Sequence, residues 1–390
     1  MRGAALLLAL ATGLAALADE PRVFDVRDYG AKGDGRTADS EAVQRAIDAA
    51  AACNGTVRFP AGRYMVHDLK AKPGISLSAE PKWLFRPESV GAVLQLDDPG
   101  ARCVLDITGA YGVRVSGLLL NGDRGVYVDW RKSAAEVTNR VHGILFDNPE
   151  KWSPKEDSPV IEDVKVQNFT GDGLRLNRIW CFFIRHSMFG FNLGNGVTLR
   201  GWDGFVIDNQ FSGNAGDGFG CLDHASTVMF TSNRIEWNGR YGLHVAPKWG
   251  NSWNVTGNAF DRNGWANLNL ERIQGSSVTG NLFRRAGTSR TDLPKPTAHP
   301  VCQARVVDCR GVTVVGNTAE AGQDDEGCGT FTPDVGFALG SLEACVVKGN
   351  TLFHGYLKEA VSDAGNHTCG TVIAENPAKP LPLPKGEDVR

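Results

Sequence analysis

Three short stretches carry side chains able to do acid–base chemistry: Asp223-His224, His244 with Lys248, and Glu271-Arg272. A carboxylate, an imidazole and a cation are the groups that remove a proton from carbon beside a carboxyl group or deliver one to a departing oxygen. Trp202 and Trp249 flank them, and Arg175, Arg178, Arg200, Asn269 and Arg305 occur at comparable intervals on either side. Residues this far apart in sequence meet only if the chain returns to the same place at regular intervals.

The chain does so. Asn209 (VIDNQF), Asn233 (FTSNRI), Asn258 (VTGNAF) and Asn281 (VTGNLF) are separated by 24, 25 and 23 residues, and the phrase resumes at Asn317 and Asn350 after intervals of 36 and 33. Between successive asparagines stands a Gly or Asn followed by an alternating apolar strand: Gly196-VTLRG, Gly218-FGCLD, Gly242-LHVAP, Asn267-LNLER. A repeat of this length built of short strands and turns reads as a solenoid, because one rung cannot close a core alone and stacked rungs share one. A buried asparagine amide can donate to one neighbouring rung and accept from another. The 47 glycines fit the many tight corners. The expected fold is all-β, a single-stranded right-handed parallel β-helix with an N-terminal helical cap.

Strand side chains alternate, so this register assigns directions. Leu174/Leu176, Val197/Leu199, Leu243/Val245 and Leu268/Leu270 point inward. Arg175, Asn177, Thr198, Arg200, His244, Asn269, Glu271 and Arg305 then point outward, and Arg178, Trp202, Asp223, His224, Lys248, Trp249 and Arg272 lie just past the strands. Asp223/His224, His244/Lys248 and Glu271/Arg272 fall on three consecutive rungs, about 4.8 Å apart. His244, Lys248, Arg272, Asp223 and Glu271 are therefore the candidate catalytic residues. Arg175, Arg178, Arg200, Trp202, His224, Trp249, Asn269 and Arg305 are the candidate substrate-binding ones. His67, His142, His186, His299, His354 and His367 lack such company and read as structural or surface residues. A one-residue slip would turn the whole set into core.

Residues 1–18 read as a signal peptide, with Arg2 before the apolar run Ala4–Leu17 and Ala16-Leu17-Ala18 as its cleavage site, which predicts a secreted or periplasmic protein. The β-helix is expected over 19–376, with its cap at about 23–64, and a Pro-rich extended tail over 377–390. Long inserted loops lie at 123–140, 148–158, 284–303 and 320–335; loops of this kind tend to wall a groove on one face of a solenoid. The net charge of −3 gives no reason to expect nucleic acid as a partner, and no apolar run is long enough for membrane insertion. Nine cysteines leave at least one free thiol; Cys302/Cys309 and Cys345/Cys369 are candidate disulfides in an oxidising compartment.

The cap region adds a resemblance. Asp28-Tyr-Gly-Ala-Lys-Gly-Asp-Gly35, Ala42-Val-Gln-Arg-Ala-Ile-Asp48 and Val57-Arg-Phe-Pro-Ala-Gly-Arg-Tyr64 together resemble the N-terminal signature of the pectate-lyase-like β-helix superfamily, with Asn54-Gly55 where a double glycine is usual. Asp39 or Ser40 can cap the helix there, and Val43, Ala46, Ile47 and Ala50 form one apolar face. The resemblance implies the fold and a carbohydrate substrate without fixing a reaction.

Three functions follow. A polysaccharide lyase would cleave a uronic-acid polymer by β-elimination, with Arg272, Arg200 or Lys248 holding the carboxylate, His244 or Lys248 as base, and calcium held by Asp223 and Glu271 as an assistant. An inverting glycoside hydrolase would use Asp223 and Glu271, two rungs apart and so roughly 9–10 Å from one another. The third is a non-catalytic glycan-binding β-helix, against which stand the chain's own cap and the lack of a trimerisation segment; a monomer is expected. Polygalacturonase motifs are missing, and Asp217-Gly218 and Asp324-Asp325 read as superficial echoes of them. The excess of basic residues on the outward face favours the lyase and an acidic polysaccharide.

Overall fold

The computed structural model describes residues 22–81, 91–122, 139–287, 296–321 and 332–382. The expected signal peptide, Asp324, Asp325, Glu326, most of the 123–140 insertion and the end of the C-terminal tail lie outside these residues.

Among the described residues all strand pairings are parallel and fall into two long sheets, of 21 and 13 strands. The larger sheet makes two faces of the right-handed helix, because Leu174–Arg185, Val197–Ile207 and Phe219–Thr231 run through both. Their pairing breaks at Asn177/Ile179 and at Leu199/Gly201, where each strand turns the corner. Leu174, Leu176, Val197, Leu199, Leu243, Val245, Leu268 and Leu270 all belong to the core, as alternation from the glycines requires.

The asparagine ladder closes one internal corner. Asn209 Nδ2 donates to Asn233 Oδ1 (3.1 Å), Asn233 to Asn258 (3.0 Å), and the series continues through Asn281, Asn317 and Asn350 to Asn376. A second ladder, unread in the sequence, runs through Asn192, Asn214, Asn238 and Asn263 at intervals of 22, 24 and 25 residues. It explains the glycines that lead each strand: a Cβ on Gly218 would stand 2.7 Å from Gly242 O and 2.8 Å from Asn238 Nδ2. Where the glycines give way to Asn267, that side chain accepts from Asn263 and donates to Gln303, ending the ladder without an orphaned amide.

The helix Ser40–Ala51 buries Ala42, Val43, Ala46, Ile47 and Ala50 over the first rung. Asp39 occupies the cap position, but its carboxylate accepts from Lys32 N and Gly33 N instead of the helix, while Ser40 Oγ accepts from His67 N. Within the Pro-rich tail, Ala378–Lys379 pairs with Leu352 and Phe353 as the last described strand. The disulfide expectations are corrected too: Cys302, Cys309, Cys345 and Cys369 are free. Cys302 packs with Tyr241 and Ala266, whereas Cys309 and Cys345 lie in the main core, so the first pair straddles the sheet.

Candidate functional site

The outward positions of the groove sheet form columns. Register aligns Arg175, Thr198, Gly220, His244, Asn269 and Arg305 on successive rungs. A parallel column lies one residue ahead of the glycines: His142, Asp172, Asn195, Asp217 and Tyr241. Three residues from the first column, it has the inward parity by strict alternation, and it faces the groove because it stands in the turn before each strand, where alternation does not hold; Asp217, read in the sequence as a superficial echo, belongs to it.

The two columns meet at His244. Its Nδ1 stands 3.0 Å from Oδ2 of Asp217, whose side chain is 2 % exposed. Asp217 also accepts from Tyr241 N (3.2 Å) and faces Arg240 Nε at 3.4 Å. Burial by itself raises the Asp217 carboxyl, but the hydrogen bond from His244 and the charge of Arg240 outweigh it and hold it below the ordinary carboxylate range. An ionised carboxylate only accepts, so His244 Nδ1 carries the hydrogen and the neutral ring keeps its lone pair on Nε2. Among the described residues nothing takes up Nε2.

Gly220 leaves room for this pair. A Cβ there would stand 2.8 Å from Asn195 Nδ2 and 2.9 Å from Asp217 Oδ2. Asn195 fixes the floor: its Oδ1 accepts from Asp217 N (2.7 Å) and Arg240 (3.2 Å), and its Nδ2 donates to Thr198 Oγ1 (2.9 Å). Tyr241 packs beside His244, ring centroids 4.3 Å apart. Burial pushes its phenol up to about 12, so it holds its proton at neutral pH. Further along the column, the fully buried Asn269 gives Oδ1 to Arg305 (2.8 Å) and leaves Nδ2 without a partner.

The remaining expected catalytic residues are engaged elsewhere. Asp223 joins Arg200 (2.7 Å) and Lys248 (3.5 Å). Glu271 joins Arg272 and Arg305. These two networks form the edge of the groove and leave His244 as the member of the expected set at its centre. The calcium donors are likewise committed: each carboxylate is shared by two cations, and no three His, Cys, Asp or Glu residues converge among the described residues. Asp223 and Glu271 in this arrangement do not fit a calcium ion.

Of the expected binding residues, Arg175 pairs with Asp172 (3.1 Å), which also takes Asn195 N (2.9 Å). Arg178 donates its guanidinium to the carbonyls of Asn148 and Pro149, tying down the 148–158 loop. That loop brings Trp152 against Trp202 (4.0 Å), with Trp180 and His224 alongside, so an aromatic wall rises beside the groove. Trp249 is 71 % exposed at the wall's end. His299, read in the sequence as a structural or surface residue, has its Nε2 2.7 Å from Tyr241 Oη. His142 also lies in the groove, accepting from Asp172 N at 2.9 Å.

Comparison with known proteins agrees with this architecture. A family model described as right-handed beta helix region matches residues 116–283 and 195–376, and one described as rhamnogalacturonase A/epimerase, pectate lyase-like, matches 23–86. The chain belongs to the pectate-lyase-like superfamily of right-handed parallel β-helix proteins. It is 28% identical over 240 residues to mannuronan C5-epimerase AlgE3 of Azotobacter vinelandii, a match covering 57% of this chain and 12% of that protein. A 44-residue stretch, 11% of this chain, is 57% identical to alginate lyase 7 of the same organism and covers 5% of it. The solved AlgE4 A-module from that organism superposes with a TM-score of 0.66 at 19% identity, covering 92% of this chain and all of that one. No described helix is long and apolar enough to cross a membrane.

Proposed function

We propose that this chain acts on an acidic polysaccharide and removes the C5 proton of a uronic-acid residue, with His244 as the base. The observation that carries this reading is the Asp217–His244 pair, in which a buried carboxylate fixes the tautomer that leaves Nε2 open. The C5 hydrogen is acidic only when the adjoining carboxylate is neutralised. Arg305 and Asn269 on the next two rungs, with Arg240 on the other side, are the donors nearest that task.

Elimination then expels the C4 oxygen, which needs a proton. Tyr241, protonated and packed on His244, supports this outcome because base and acid stand side by side on one floor. The lyase is thus the preferred reading. The likeness to mannuronan C5-epimerases favours a second, in which the carbanion is reprotonated from its other side. The hydrolase alternative asks Asp223 or Glu271 to protonate a glycosidic oxygen, and both are already shared between two cationic partners.

The test uses polymannuronate, other uronate polymers and neutral polysaccharides in D2O, with and without calcium. Either an unsaturated end or deuterium at C5 of intact residues is expected, and both are abolished in His244→Ala. Ultraviolet absorbance of an unsaturated end then marks elimination, and an inverted C5 without it marks epimerisation. Reducing ends formed with neither signal would overturn the proposal.

A further inference from the structure

Tyr241 has a second neighbour besides His244. His299 approaches from the 284–303 insertion, outside the repeat, and its Nε2 meets Tyr241 Oη at 2.7 Å. Its other nitrogen, Nδ1, lies 2.8 Å from the carbonyl oxygen of Pro300. A carbonyl only accepts, so Nδ1 bears a hydrogen in every protonation state. On the neutral ring Nε2 is therefore a bare acceptor and the Tyr241 hydroxyl donates to it, turning its hydrogen away from the groove. On the charged ring Nε2–H donates to Oη, and the phenol hydrogen is released toward the groove. The titratable and charged groups facing His299 are Tyr241, His244 and Arg305. Burial lowers its proton affinity against the pull of the Pro300 carbonyl, with Arg305 and His244 acting in the same direction as burial.

We propose that His299 is a positioning residue that sets the direction of the Tyr241 hydroxyl and thereby decides whether the site can hand a proton to its substrate. The proposal rests on the reading of Tyr241 as the acid of a proton-transfer reaction. The step balances: the Tyr241 O–H bond breaks as the proton moves to the departing C4 oxygen of the substrate, the Nε2–H proton of His299 passes to Oη, and His299 is left neutral. Solvent recharges the ring before the next turnover. With a neutral ring at the outset, the phenol hydrogen is already committed and the transfer stalls.

The experiment compares wild type, His299→Phe and Tyr241→Phe on a uronate polymer across pH, following C5 deuterium exchange and product formation separately. For wild type, product formation should fall about tenfold per pH unit above the His299 titration, while exchange through His244 persists. His299→Phe, in which the hydroxyl is free to turn, should lose that alkaline limb and keep exchange. An unchanged limb in His299→Phe, with His244-dependent turnover intact, would overturn the proposal; absence of both C5 exchange and unsaturated product in wild type would instead sink the C5 reading. A measurement without substrate stands beside these. Ring nitrogen chemical shifts should show His299 protonated at Nδ1 and bare at Nε2 when neutral. The Nε2 resonance of the neutral ring should shift in Tyr241→Phe, which removes the hydroxyl hydrogen-bonded to it. A bare Nδ1, or no shift in that variant, would overturn the assignment irrespective of activity.

Discussion

Asp217 and His244 stand on adjacent rungs, one position ahead of a glycine and two positions past the next, and their side chains meet diagonally at 3.0 Å above the gap left by Gly220. The carboxylate does two things at once. It selects the Nδ1–H tautomer, and it fixes the ring so that Nε2 faces the groove. Asp217→Asn keeps the shape but can present an amide hydrogen to Nδ1, which favours the opposite tautomer. The expected outcome is a fall in kcat of about 10³-fold with KM little changed, measured by C5 exchange on protein whose near-ultraviolet circular dichroism matches wild type.

The same contact predicts an acid limit on stability. Asp217 is held below its unfolded value, so its contribution is present above the unfolded carboxylate pKa and is lost as pH falls through the folded one. Denaturant midpoints recorded between neutral and strongly acid pH should drop less in Asp217→Asn than in wild type. Equal drops would mean other carboxylates govern acid unfolding.

Two glycines two residues apart should fail in different ways. At Gly218 an added methyl meets the backbone of the next rung and the Asn238 amide, so Gly218→Ala should cost about 2 kcal/mol of stability. At Gly220 its nearest neighbours are the side chains of Asn195 and Asp217. Gly220→Ala should leave the melting temperature within a few degrees of wild type and cut activity at least about tenfold by displacing Asp217. Melting curves and initial rates on both variants check the contrast.

Asn233 donates to Val206 O and Asn258 and accepts from Asn209, all buried. Asn233→Ala leaves several of these groups unpaired and should cost roughly 2–4 kcal/mol. Asn376→Ala, at the half-buried end of the ladder, should cost less than half as much. Equal losses in thermal melts would contradict an internal ladder that strengthens toward its middle.

The eight described cysteines are free, and Cys369 is the exposed one among them. Reductant is expected to leave the melting temperature unchanged. In a thiol titration without denaturant Cys369 should react first, while Cys221, Cys302 and Cys309, whose thiols burial pushes up, stay silent.

Much of this molecule follows from periodicity. The interval between Asn209, Asn233, Asn258 and Asn281 fixed the solenoid, since one amide per rung has nowhere to go except to the next. Alternation from the glycines fixed which leucines and valines are core, and so placed His244, Asn269 and Arg305 on one outer column. The second column was equally periodic. Asp172, Asn195, Asp217 and Tyr241 precede their glycines at the same interval, but extending the alternation one step back assigns them to the core; only the turn that leads into each strand swings them outward.

Charge partners were a different matter. Sequence places Asp223, Glu271, Lys248 and Arg272 on neighbouring rungs, but which cation takes which carboxylate depends on side-chain reach across a bend in the strand. Tertiary structure decided that Asp223 and Glu271 are spent on ion pairs while Asp217 serves His244. It also decided the place of His299 and Trp152, which arrive on inserted loops. A repeat dictates where each rung begins and which way its residues face. An insertion between rungs leaves the period and folds back according to what its own side chains meet, and that is settled only by packing in three dimensions.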